Sequence, residues 1–178
     1  QLLTSDQILK PYDPDLVAHL YCDASRIAVG FALLQKSTNG QIRVVQCGSK
    51  ALDETQMRYS IVELEFLSIL YAVLKCKFYL LGNRHFLVYS DHKPLICLMA
   101  KNLNLIENSK LRRIREKLSE YNFTLVFQSG LTNHVADFLS RNPMWDSSAD
   151  QEIFSEFTDS QPQIRLLENK TPNSYTVD

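Results

Sequence analysis

The sequence predicts an α/β fold on a five-stranded mixed sheet, three antiparallel strands and then two parallel ones, with helices on both faces. Three observations predict it. The body opens with three β-like segments joined by short turns. A stretch from Tyr59 to Leu81 without proline or glycine then carries apolar residues at helical spacing. Beyond it, β-like runs alternate with helical segments, and a strand reached through a helix returns right-handed and parallel to the same sheet.

Each element has its own signal. The run Leu16 to Cys22 reads as a strand buried on both faces that leads into Asp23. Strands Ile27 to Gln35 and Gln41 to Cys47 flank Ser37-Thr38-Asn39-Gly40, whose Asn-Gly pair marks a tight turn. In the long helix Ile61, Val62, Phe66, Ile69, Leu70 and Val73 recur on one face, and Gly82 ends it. His85 to Ser90 is the fourth strand and runs into Asp91. Helices over Pro94 to Met99 and Leu105 to Tyr121, strand Phe123 to Phe127 and a last helix from about Asn133 complete the order.

This order sets Asp23 and Asp91 toward the carboxyl edge of neighbouring parallel strands, where open α/β sheets place ligands. Glu63 and Glu65 on the long helix are both within reach in principle. Glu65 shares its stripe with the small residues Ser68 and Ala72, which permit close approach to the sheet, whereas Glu63 shares its own with Phe66, Leu67 and Leu70. That favours Glu65. Asp137, near the last helix, is the fourth acid of the set. His19, His85, His92 and His134 are unclustered and Cys22, Cys47, Cys76 and Cys97 form no C-x-x-C pair, so oxygen ligands and a hard cation are the expected metal chemistry. The cysteines, in or beside apolar runs, are expected to be buried thiols.

Composition bounds the rest. The 178 residues suffice for one compact domain plus a tail. No apolar stretch reaches about 18 residues free of charge and no basic-then-apolar leader opens the chain, so no membrane is expected. A net charge of −1 conceals an asymmetry: residues 1–141 hold 17 Lys/Arg against 13 Asp/Glu, and residues 142–178 hold 2 against 7. The acidic, Ser/Gln/Pro-bearing end reads as a largely disordered tail or linker.

Four segments, Tyr21-Cys22-Asp23-Ala24-Ser25, Tyr59 to Leu67, Tyr89-Ser90-Asp91-His92-Lys93-Pro94-Leu95 and Val135 to Arg141, resemble the ribonuclease H domain of gypsy-type LTR retrotransposon reverse transcriptases. The resemblance implies a ribonuclease H-like fold over residues 16–143, a joint to an upstream polymerase or connection region in residues 1–15, and residues 144–178 leading toward integrase. It implies the catalytic and metal-binding quartet Asp23, Glu65, Asp91 and Asp137, with Glu65 as the second of the family's paired glutamates. It further implies two Mg2+ ions, with Mn2+ as substitute, bridged by Asp23, that hydrolyse the RNA strand of an RNA–DNA hybrid during reverse transcription in cytoplasmic virus-like particles. Two departures stand out. The loop before Asp137 lacks a clear counterpart of the histidine found in many relatives, and His134 is assigned no role; Phe138 stands where a small residue is usual.

For substrate contact, Arg112 and Arg113 lie in a basic cluster with Lys110, Arg115 and Lys117, on a helix whose buried stripe is Leu111, Ile114 and Leu118. The same face carries Glu107, Glu116 and Glu120, so a solvated surface and a phosphate grip are both open readings. Ser25, His92, Asn133 and Arg141, beside the acids in sequence, are the candidates for reading the sugar edge, with turn or capping roles as the alternative for Ser25, Asn133 and His92. Two other functions remain open: a silent, domesticated or connection-type domain that binds hybrid or dimerises, and another nuclease or integrase on the same fold.

Overall fold

A computed structural model of the chain describes residues 11–82, 85–128 and 140–141. Strands β1 (Ala18–Ala24), β2 (Ala28–Lys36) and β3 (Ile42–Ala51) are followed by helices α1 (Ile61–Lys75) and α2 (Lys77–Leu80). Then come β4 (Phe86–Ser90), α3 (Pro94–Ala100), α4 (Ser109–Leu118) and β5 (Phe123–Phe127). The sheet runs β3-β2-β1-β4-β5. β1 pairs antiparallel with β2 and β2 with β3, while β1 with β4 and β4 with β5 are parallel, as the strand order predicts.

The core lies between one sheet face and α1. Alternation along β1 sends Ala18, Leu20 and Cys22 into it beside Phe31 and Leu33 of β2 and Phe86 and Val88 of β4, against Phe66, Ile69, Leu70 and Val73 of α1. Each large apolar side chain buried there contributes about 1.5–3 kcal/mol relative to exposure. α4 packs on α1, and Arg115 of α4 donates from Nε and Nη2 to the Met99 carbonyl at the end of α3, so these three helices form one layer. The helix expected from about Asn133 lies outside the described residues except for Ser140 and Arg141, which are helical. Among the described residues no helix is long and apolar enough to cross a membrane.

Five expectations change in detail. β1 starts at Ala18 rather than Leu16 and extends through Asp23, and His19 and Tyr21 on its second face are only half-buried. β3 continues past Cys47 to Ala51. The long helix divides at Cys76, whose backbone (φ −93°, ψ 11°) interrupts the ladder and whose carbonyl then accepts the Tyr79 and Leu80 amides. No glycine or proline marks that break; Gly82, at φ 77°, does close the second piece. The helix expected over Leu105 to Tyr121 is shortened to Ser109–Leu118 because Asn108 caps it, its side chain accepting from the Lys110 and Leu111 amides. The cysteines are free thiols, but only Cys22 and Cys76 are buried; Cys47 is half-buried and Cys97 exposed.

Two polar details fix the sheet. Gln35, fully buried on β2, donates to the Asp13 and Leu16 carbonyls and accepts the Asp13 amide at 2.9 Å, fastening residues 13–16 to the strand. Gly48 sits opposite Phe31, and a Cβ there would meet the Phe31 ring at 2.9 Å. That ring is buried and edge-on to Tyr71, so it has little room to yield. Gly48→Ala is therefore expected to lower stability by about 1–3 kcal/mol, read from the denaturant midpoint; an unchanged midpoint would contradict this packing.

Candidate metal centre

Three of the four predicted acids converge. In the parallel β1–β4 ladder Tyr21 is paired with Tyr89, and their rings stack at 4.5 Å and 9°. Two residues further on, the same register brings Asp23, paired across β2 with Gly30, beside Asp91, which follows the last residue of β4. Glu65 comes from the second turn of α1, the helix laid across β1 and β2. One carboxylate oxygen from each of Asp23, Glu65 and Asp91 can be chosen so that all lie within 4.8 Å of one another. Asp23 and Glu65 are buried and Asp91 is exposed, so solvent reaches the cluster on the Asp91 side.

This concentration of acid is costly without a cation. Two unit charges about 4–5 Å apart in an effective dielectric of about 20 repel by about 3–4 kcal/mol. Burial, then the charges of Asp23 and Asp91, push the Glu65 carboxyl up to about 9, although a hydrogen bond from the Ala24 amide opposes the shift. Glu65 Oε2 is buried and has no hydrogen-bond partner. An orphaned carboxylate oxygen on an acid that meets two further carboxylates, in an all-oxygen donor set, fits a hard divalent cation such as Mg2+ or Mn2+. The Cys22 thiol, behind Asp23, is raised well above its usual range, first by burial and then by Cys76, so it is no competing soft ligand.

Glu63 has a different task. Ser60 caps α1 by accepting the Glu63 amide, while the Glu63 carboxylate accepts from the Ser60 amide and hydroxyl, both at 2.8 Å. Glu63 also accepts from Asn108 Nδ2 at 3.0 Å and lies 3.9 Å from Lys110 Nζ. Burial alone would raise its carboxyl, but the bonds from Asn108 and Ser60 and the Lys110 charge outweigh it and hold the group below its ordinary value. It ties the start of α1 to the start of α4.

The other predicted residues are placed as follows. Ser25 is half-buried in the β1–β2 turn; its Oγ accepts the Ala28 amide at 3.0 Å and lies 2.6 Å from the Ser140 carbonyl. The His92 carbonyl accepts the Leu95 amide at the start of α3, while its Nε2 is buried with no hydrogen-bond partner. Arg112 and Arg113 are exposed on α4. Their basic neighbours are partly engaged inside the protein: Lys110 stands 3.9 Å over the Tyr59 ring, Arg115 holds Met99, and Lys117 pairs with Glu120 at 2.8 Å. Arg141 is exposed. Asp137 and Asn133 lie outside the described residues. Ser140 was missed by the sequence reading: fully buried, it donates from Oγ to Asp23 Oδ2 at 2.5 Å. Its only sequence signal is its place three residues after Asp137.

The chain has clear relatives among known proteins. Residues 13–121 match the family described as the RNase H-like domain found in reverse transcriptase. The retrovirus-related Pol polyprotein from transposon opus of Drosophila melanogaster is 38% identical over 70% of this chain and 12% of its own length. That from transposon 297 of the same fly is 40% identical over 79% of this chain and 12% of its own. The transposon Tf2-3 polyprotein of Schizosaccharomyces pombe is 30% identical over the whole chain and 14% of its own length. The chain thus spans about an eighth of these relatives. Among solved structures, RNase H1 from the archaeon Halobacterium salinarum superposes with a TM-score of 0.51 at 20% identity, covering 68% of this chain and 92% of that one. The foamy viral protease-reverse transcriptase in complex with RNA/DNA hybrid gives 0.56 at 16%, covering 79% and 18%. At these identities the structures establish the shared fold.

Proposed function

This chain belongs to the RNase H-like domain family found in reverse transcriptases, as part of a retrotransposon Pol polyprotein, and on that premise we propose that it is an active nuclease that hydrolyses the RNA strand of RNA–DNA hybrids. The observation that carries the reading is the convergence of Asp23, Glu65 and Asp91 on one partly open site. Two Mg2+ ions, or Mn2+ in their place, held by these three acids with Asp137 as a fourth, would supply an activated water and charge neutralisation at the leaving oxygen. Asp23 and Glu65, embedded in the sheet and α1, give the cluster its rigid side, and Asp91 faces the approach of the phosphate backbone.

Hybrid binding is assigned to the exposed Arg112 and Arg113, held in place because Glu63 and Asn108 lock the start of α4 to α1. Ser25, His92, Asn133 and Arg141 remain the candidates for the ribose edge. If the arginines bind phosphates, Arg112→Ala with Arg113→Ala weakens hybrid binding regardless of sequence and flattens the log Kd against log salt line by about one unit per side chain. An unchanged slope would return this face to plain solvation.

The residue ranges 16–143 for the nuclease unit, 1–15 for its joint to an upstream polymerase and 144–178 for a linker toward integrase belong to the same proposal, as does its place in cytoplasmic virus-like particles. The foamy viral relative of this fold, captured with RNA/DNA hybrid, supports the substrate assignment. The deciding assay labels each strand of a hybrid separately and follows both across Mg2+ and Mn2+ concentration. Metal-dependent shortening of the RNA with intact DNA is expected. Binding without cleavage at any metal concentration would instead identify a silent domain, and nicking of duplex DNA with the hybrid RNA spared a different nuclease.

A further inference from the structure

We infer that Ser140 is a positioning residue of the metal centre, its hydroxyl fixing the Asp23 carboxylate in the orientation that receives the cation; this rests on the metal-dependent reading of the site. Asp23 and Ser140 are 117 positions apart in sequence, yet Ser140 Oγ donates to Asp23 Oδ2 at 2.5 Å with both residues buried. The terminal torsion of an aspartate is broad and two-fold, so the β1 backbone alone does not choose which way the two oxygens point. One donated hydrogen bond chooses. A carboxylate has about four lone-pair sites, and the bond from Ser140 occupies one of them.

A second bond holds the serine itself in place. The Ser140 carbonyl lies 2.6 Å from Ser25 Oγ, in the turn two residues beyond Asp23. The segment 23–25 and residue 140 are thereby joined by two bonds running in opposite directions, a closed clamp in which neither partner shifts without breaking the other contact. Hydroxyls and carbonyls that orient metal-ligating side chains in this way commonly account for about 10–100-fold in metal affinity. The clamp also fastens Ser140, three residues after Asp137 in sequence, to the edge that carries Asp23.

The test is Mn2+ binding to the metal-free 178-residue chain, followed by electron paramagnetic resonance of the free ion, for the wild type, Ser140→Ala and Ser140→Cys. The cysteine fills nearly the same volume but is a much weaker donor, so it separates hydrogen bonding from packing. Both variants are expected to bind Mn2+ about 10-fold more weakly, and the Mg2+ midpoint of hybrid cleavage should rise in step while KM for the hybrid stays unchanged. Wild-type affinity in Ser140→Ala, or its restoration in Ser140→Cys, would overturn the positioning role and leave the nuclease reading standing. A wild-type chain that binds no Mn2+ would overturn both. Should Ser140→Ala unfold, the near-isosteric Ser140→Cys carries the decision.

Discussion

Asp23→Asn and Asp91→Asn, each made alone, are expected to abolish hybrid cleavage while leaving the fold intact. Asparagine keeps the shape of aspartate and removes its charge, so the sheet edge is undisturbed but the cluster loses one of the three acids that meet within 4.8 Å. A site that relies on bound cations for transition-state charge loses several kcal/mol when a ligand is neutralised, on the order of 10^3-fold in rate or more. Single-turnover cleavage at saturating hybrid measures it, with circular dichroism to verify folding. Because each substitution also removes a repulsive charge from a crowded site, neither variant should be less stable than the wild type in chelator. A folded Asp23→Asn protein that cuts within 10-fold of wild type would remove this cluster from the chemistry.

The second large effect is a dependence of stability on pH. Burial and the neighbouring aspartates raise Glu65 from an ordinary value of 4.5 to about 9 in the metal-free protein. Between those values the folded state holds a proton that the unfolded state has released. The stabilisation from that proton is complete below about pH 4.5 and is lost as pH rises toward about 9, at no more than about 1.4 kcal/mol per unit. In chelator the melting temperature should therefore fall across this window, and Glu65→Gln should flatten the fall. Binding of Mg2+ must displace the same proton, so affinity should tighten as pH rises and calorimetry in buffers of different ionisation enthalpy should detect proton release. A Glu65→Gln variant with the wild-type slope would mean that other groups set it.

How far the sequence could be read depended on how local each signal is. Asp23 and Asp91 were legible because a parallel β1–β4 pair follows from the helix between the strands, and register then aligns the residues after Tyr21 and Tyr89. Choosing Glu65 over Glu63 agrees with the geometry, since Glu65 meets Asp23 and Asp91 while Glu63 is spent on the Ser60 cap, and Ser68 and Ala72, on α1 with Glu65, are fully buried. A sharper signal was present: Ser60-Ile61-Val62-Glu63 is a capping-box pattern, and the structure uses Glu63 as its third helical residue.

Tertiary partners were less legible. Nothing in the run Lys110 to Lys117 shows that Arg115 serves the Met99 carbonyl or that Lys110 covers Tyr59, and only the assembled helices separate those residues from Arg112 and Arg113. The break at Cys76 has no sequence mark, because its backbone angles are open to any residue and its buried place comes from the surrounding core. Ser140 escaped for the same reason: a hydroxyl reveals its partner only when the fold brings Asp23 to it.

The most direct test of the centre is an anomalous difference map from crystals of the chain soaked in Mn2+. The account predicts manganese in contact with carboxylate oxygens of Asp23, Glu65 and Asp91. Active, hybrid-cleaving protein whose manganese sits elsewhere, with those three acids bare, would contradict it.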